Sequence, residues 1–132
     1  MPDTNTLYFD GSSSPHKGGP AGWGFVLILE DGEEITEGGW VDESLGNTNN
    51  VAEYTSLIKG LEKALSLGIT YLHIIGDSQL IIYQVMGKYK VKHPQLIPLH
   101  QEVKSLLTYF TDYNIEWKRR VHNKADAFSR GG

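Results

Sequence analysis

Apolar residues in this 132-residue chain follow two rhythms, and the change between them constrains the fold more than any other feature. Up to residue 41 they come in short β-prone runs, at 7–9, 23–29 and 33–41. Asp10-Gly11 ends the first run with a turn signal, and Asp31-Gly32 sits where a hairpin between the other two needs it. Residues 12–19, rich in Ser and Gly, read as a loop. From Tyr54 onward the apolar positions Leu57, Ile58, Leu61, Ala64 and Leu65 fall on one helical face. Thr48, Asn49 and Asn50 suit that helix's entrance, and Gly68 suits its stop. Next come a buried strand over 71–75 and a helix over 79–86. Another helix, bounded at its entrance by Pro94 and Pro98, runs to about Phe110. A last strand over 113–119 has Ile115 and Trp117 on one face, and a short terminal helix starts at Ala125. The order β-β-β-α-β-α-α-β-α implies an α/β fold. Its sheet is mixed, with antiparallel strands first, then strand–helix alternation, and helices packed against it. The pattern leaves the strand order open. No repeat or linker divides the chain, so one domain over residues 1–132 is expected.

Several chemistries are excluded at once. The chain has no cysteine, which removes disulfides, thiolate zinc sites, iron–sulfur clusters and cysteine nucleophiles. No two of its five histidines, at 16, 73, 93, 100 and 122, stand at zinc-ligand spacing. No apolar run approaches a membrane span, and residues 1–6 lack the apolar stretch of a signal peptide. A cytoplasmic protein without membrane contact, and a monomer, are the expectations. The net charge of −4 weighs mildly against nucleic acid. Yet a carboxylate-rich metal site contributes negative charge that cations cancel. Basic residues also cluster locally: Lys88, Lys90, Lys92 and His93 in one stretch, and Lys118, Arg119, Arg120, Lys124 and Arg130 in another. Each stretch read alone is either a solvated face or a phosphate contact.

Four acidic residues share an unusual setting. Asp10 ends the first strand, and Asp77 follows the strand over 71–75 and precedes a helix. Glu53 lies in the first turn of the long helix, and Asp126 in the first turn of the terminal one. If the two strands are neighbours, Asp10 and Asp77 emerge together at the carboxyl edge of the sheet, where α/β folds place ligand crevices. Glu53, with Leu57 at i+4 and Gly60 at i+7, lies on or beside the core-facing stripe. Each residue also has a structural reading: a turn at Asp10, an N-cap at Asp77, a helix N-terminal preference at Glu53 and Asp126. Together, converging carboxylates need cations, and an oxygen-only set suits Mg²⁺ or Mn²⁺. Two such ions can hold the attacking and leaving oxygens of an in-line phosphoryl displacement.

The residues around these carboxylates decide between the readings. Tyr8-Phe9-Asp10-Gly11-Ser12, Gly19-Pro20-Ala21-Gly22-Trp23-Gly24, Asn47-Thr48-Asn49-Asn50-Val51-Ala52-Glu53-Tyr54 and Gly76-Asp77-Ser78-Gln79-Leu80 occur in this order. Gly87-Lys88-Tyr89-Lys90-Val91-Lys92 and Ala125-Asp126-Ala127 follow. In these segments the chain resembles the type 1 ribonuclease H family, in its compact form without a basic protrusion. The resemblance implies a five-stranded mixed sheet flanked by helices. It implies an endonuclease that hydrolyses the RNA strand of RNA–DNA hybrids with two Mg²⁺ ions, leaving 3′-hydroxyl and 5′-phosphate ends. Asp10, Glu53, Asp77 and Asp126 fall on family metal-ligand positions. Gly11, Ser12, Thr48, Asn49, Asn50, Ser78, Gln79 and Arg119 are the implied substrate contacts, with amides suited to a 2′-hydroxyl.

Three departures stand out. Ser14-Pro15-His16-Lys17-Gly18 replaces the Asn that usually precedes the family's Gly-Pro pair. The short stretch holding Lys88, Lys90 and Lys92 stands where larger members carry a basic helical protrusion. His122 stands where Asn is common, and it is a candidate for proton transfer or product release. Arg119 is the competing phosphate contact, and a surface histidine is the structural alternative. Within the family, Ala125-Asp126-Ala127-Phe128-Ser129-Arg130 also resembles retroelement ribonuclease H domains, whereas residues 76–79 and 87–92 point to the cellular form. A non-catalytic nucleic-acid-binding domain on the same fold is the alternative from another class.

Overall fold

The three early strands form, and the first is longer than its apolar run. A computed structural model describes residues 4–14, 19–42, 44, 46 and 48–119. In it β1 spans Asn5–Ser14, β2 Gly19–Ile28 and β3 Glu34–Trp40, followed by α1 Asn49–Ser66 and β4 Tyr71–Gly76. Two helices, α2 Gln79–Val85 and α3 Ile97–Leu107, lead to β5 Asp112–Trp117. The expected turn at Asp10-Gly11 is corrected: β1 continues through it, with Asp10 opposite Gly24 and Gly11 opposite Trp23 on β2. Ladder pairing with a full-length neighbour outweighs the local turn preference of Asp-Gly. Ser12–Ser14, read as loop, are likewise strand, with a register shift between Ser12 and Ser14. The hairpin at Asp31-Gly32 forms as expected, with Gly32 at φ 94°.

The sheet order is β3-β2-β1-β4-β5. β1 to β3 are antiparallel, while β4 runs parallel to β1 and β5 parallel to β4. This is the mixed sheet that the element order implied. One face is apolar through the register: Leu7 opposes Leu27 and Ile74, and Phe9 opposes Phe25. All five side chains are fully buried. α1 packs on this face and α3 packs against α1, so α1 is buried nearly all round from Val51 to Leu61. Thr48 caps α1, its Oγ1 accepting from Val51 N–H at 3.2 Å, and Gly68 at φ 78° follows its end. The helix therefore starts at Asn49, and Glu53 lies in its second turn, not its first. Among the described residues no helix is long and apolar enough to cross a membrane. The expected terminal helix from Ala125 lies outside the described residues.

Candidate metal centre

Parallel pairing between β1 and β4 stops at Phe9 opposite Gly76. The next residue after each of these is an aspartate: Asp10, still paired with Gly24 of β2, and Asp77, just past the end of β4, so the two stand side by side. This meets the condition on which the sequence reading depended, that the two strands be neighbours. Glu53 arrives from above. Gly11 is buried against the start of α1, and a Cβ there would lie 2.6 Å from Ala52 Cβ and 2.5 Å from Glu53 N. The missing side chain lets α1 settle onto β1 next to Asp10.

The three carboxylates converge, with one oxygen of each within 4.8 Å of the other two. Asp10 is fully buried, Glu53 is 3% exposed and Asp77 is half-buried. Burial pushes the Glu53 carboxyl well above its usual 4.5, aided by the charge of Asp10, a hydrogen bond with it, and the charge of Asp77. The Gly11 N–H opposes this by donating to Glu53. Glu53 Oε1 has no hydrogen-bond partner among the described residues. Buried acceptors of this kind normally find a donor or a cation. An all-oxygen, high-charge set with an unsatisfied buried oxygen fits a hard divalent cation such as Mg²⁺ or Mn²⁺.

Neighbouring residues hold the Asp77 turn. Ser78, not Asp77, caps α2, its Oγ accepting from Ile81 N–H at 3.3 Å. At the end of β5, Trp117 Nε1–H donates to Asp77 O, and just past it Lys118 N–H donates to Gly76 O, both at 3.0 Å. At the start of α1, within about a turn of Glu53 along the helix, Thr48 and Asn49 are exposed and Asn50 is half-buried. Gln79 is exposed as the first residue of α2, and Arg119 is exposed beyond β5. Gly11 takes part by packing, being buried. Ser12 continues β1, and its side chain is outside the described part. Asp126 and His122 lie outside the described residues.

Residues 8–130 match the family described as reverse transcriptase-like. The crystal structure of RNase H1 from the halophilic archaeon Halobacterium salinarum NRC-1 has a TM-score of 0.85 at 36% identity. That match covers 96% of this chain and 95% of the other. The chain belongs to the ribonuclease H family. The N-terminal RNase H domain of Rv2228c from Mycobacterium tuberculosis has a TM-score of 0.82 at 36% identity, covering 97% of this chain and 91% of that one. LC11-RNase H1, solved in complex with an RNA/DNA hybrid, has a TM-score of 0.83 at 29% identity over 98% of this chain and 96% of that one. Among curated proteins, the Ribonuclease HI of Halobacterium salinarum is 40% identical over 124 residues, 92% of this chain and 60% of the relative. The bifunctional protein Rv2228c of Mycobacterium tuberculosis is 39% identical over 115 residues, 86% of this chain and 31% of the relative. This ribonuclease H chain thus spans between 31% and 60% of the length of these curated relatives.

Three structural roles in and beside the site went unread in the sequence. Gly11 was read as a substrate contact, whereas its visible role is to admit α1. The Trp117 indole bond to Asp77 depends on the parallel register of β4 and β5, which no local pattern encodes. The buried pair Tyr54 and Gln84 had a faint signal: a lone amide on the apolar face of α2, beside Ile81, Ile82 and Val85.

Proposed function

We propose that this chain is an endonuclease that hydrolyses the RNA strand of RNA–DNA hybrids in a divalent-cation-dependent reaction, leaving 3′-hydroxyl and 5′-phosphate ends. The observation that carries this reading is the convergence of Asp10, Glu53 and Asp77, with Glu53 almost fully buried. Asp126 is assigned as the fourth ligand of the set and His122 as the proton or product handler, both on the family resemblance. Bound here, two Mg²⁺ ions would supply charge that activates a water and stabilises the leaving oxygen.

The protein's own groups do the rest. Asp10 and Glu53 are buried in a low-dielectric setting, where they would attract a cation more strongly than exposed carboxylates do. Because burial raises the Glu53 pKa, a proton and a cation would compete for the same carboxylate. Asn49, Asn50 and Gln79 present amides beside the cluster, able to bond a 2′-hydroxyl and so to tell RNA from DNA. Lys88, Lys90 and Lys92 are exposed past the far end of α2. We assign them to the phosphate backbone, in place of a larger protrusion. The hybrid seen with LC11-RNase H1 supports the same choice of partner. The test is a panel of labelled hybrid, duplex RNA, single-stranded RNA and duplex DNA, each with Mg²⁺, Mn²⁺ or chelator. Cutting of the hybrid's RNA strand only, abolished by chelator, is expected. Equal cutting of duplex DNA, or full activity in chelator, overturns the reading.

A further inference from the structure

The residue after Glu53 begins a buried polar chain that leaves the carboxylates and ends at the basic segment. Tyr54 is fully buried, and its hydroxyl donates to Gln84 Oε1 at 2.7 Å. Gln84, 5% exposed on α2, turns its Nε2 to the Lys90 carbonyl at 3.4 Å. Its own carbonyl meets His100 Nε2 of α3 at 3.1 Å, and the His100 ring stands edge-on to Tyr54. The same segment is tied again one residue earlier along α2. Lys88 N–H and Tyr89 N–H both donate to Tyr83 O, at 2.8 and 3.2 Å. Tyr89 packs edge-on against the Tyr83 ring, and the Lys88 ammonium lies 5.0 Å over that ring. The side chains of Lys88, Tyr89, Lys90 and Lys92 remain exposed.

A buried amide is costly unless its groups are satisfied, and an apolar residue would fill the Gln84 position without that requirement. What the amide adds is direction. A phenol has one hydrogen to donate, and Tyr54 places it on the amide. The amide oxygen therefore faces Tyr54, and its nitrogen faces Lys90. α2 has seven residues, so it sets about 10 Å of helix between the turn at Asp77 and the turn into the basic segment, roughly three nucleotides at 3.4 Å per step of one strand. Lysines whose backbone is already fixed lose less freedom when they meet phosphates.

We propose that Tyr54 and Gln84 are positioning residues that fix the basic segment 88–92 at a set distance from the carboxylates, where it receives the backbone of the bound hybrid. This rests on the function proposed above. The test uses Tyr54→Phe, Gln84→Glu and the double variant Tyr54→Phe/Gln84→Met, which removes both partners and leaves no polar group stranded. Amide exchange over residues 88–92 is read on the free protein, hybrid affinity in Ca²⁺ across a salt series, and KM and kcat in Mg²⁺. Each variant is expected to exchange Lys88 and Tyr89 amides about tenfold faster. Each should also bind hybrid about threefold to tenfold more weakly, with the reduction falling on KM rather than kcat. The double variant is expected to regain thermal stability without regaining affinity. Wild-type exchange and affinity in the folded variants overturn the positioning role. So does a double variant that regains affinity together with stability, because the pair is then structural only. Wild-type protein with no affinity for hybrid overturns the proposed function instead.

Discussion

Gly11→Ala tests the packing that brings Glu53 to Asp10. Gly11 has no left-handed φ, so alanine brings no backbone strain and the whole effect is space. The new Cβ would lie 2.5 Å from Glu53 N and 2.6 Å from Ala52 Cβ, where ordinary contact is 3.4–4 Å. The obstacle is helix backbone, so no rotamer change relieves it, and α1 must lift from β1 by close to 1 Å. Overpacking of this kind costs about 1–3 kcal/mol. With an unfolding entropy of about 2.1 cal/mol/K per residue, a chain this long loses roughly 4–11 °C in Tm. The functional loss is larger. A displacement of about 1 Å in a reacting constellation lowers turnover on the order of 10²-fold. Differential scanning calorimetry and single-turnover cleavage of labelled hybrid measure the two effects. A variant with wild-type Tm and wild-type rate would refute the argument that Gly11 sets the position of Glu53.

Glu53→Gln is expected to raise the stability of the metal-free protein at neutral pH while removing activity. The sign follows from the raised Glu53 pKa: the folded state holds the proton longer than the unfolded state. That stabilisation is full below the usual 4.5 and is lost as pH rises through the raised value, and glutamine removes the loss. Urea midpoints in chelator from pH 4 to 8 should diverge between wild type and variant as pH rises, and parallel curves would contradict it. Replacing Lys88, Lys90 and Lys92 with Ala should raise KM and flatten the salt dependence by up to about 0.9 log units for each phosphate no longer neutralised. An unchanged slope would make the stretch solvated surface. His122→Ala should lower kcat by about 10²-fold or more with little change in KM. A drop under about threefold at every pH would move the role to Arg119.

The sheet class was legible because strand and helix periods differ, and the hairpin at Asp31-Gly32 because its turn chemistry is local. Asp10-Gly11 shows the limit. The same dipeptide signals a turn in isolation, but in the sheet it is paired with β2, and a single sequence does not display its pairing partner. Strand order was illegible for the same reason. The convergence of Asp10 and Asp77 followed only once β1 and β4 proved to be parallel neighbours. Glu53 was legible as inward-facing from its spacing to Leu57, and the helix entrance from Thr48, although Glu53 falls in the second turn rather than the first. Gly11 was visible as a turn residue and, through the family resemblance, as a substrate contact, but not as a packing residue, since a close approach between two elements leaves no periodic trace. The Tyr54–Gln84 bond joins residues 30 apart, beyond the reach of any local pattern.

The central claim is that the three converging carboxylates hold the cations that cut the hybrid. Asp10→Asn and Asp77→Asn keep side-chain shape and remove one charge each, so the fold should survive while cation binding fails. Less negative charge should not weaken attraction to phosphates. The most direct measurement is turnover of labelled hybrid in Mg²⁺ by wild type and both variants, alongside hybrid binding in Ca²⁺. The account predicts folded variants that bind hybrid at least as well as wild type and leave its RNA strand nearly uncut. Wild-type turnover by both variants would contradict it, as would a wild type that binds hybrid and cuts it with no metal.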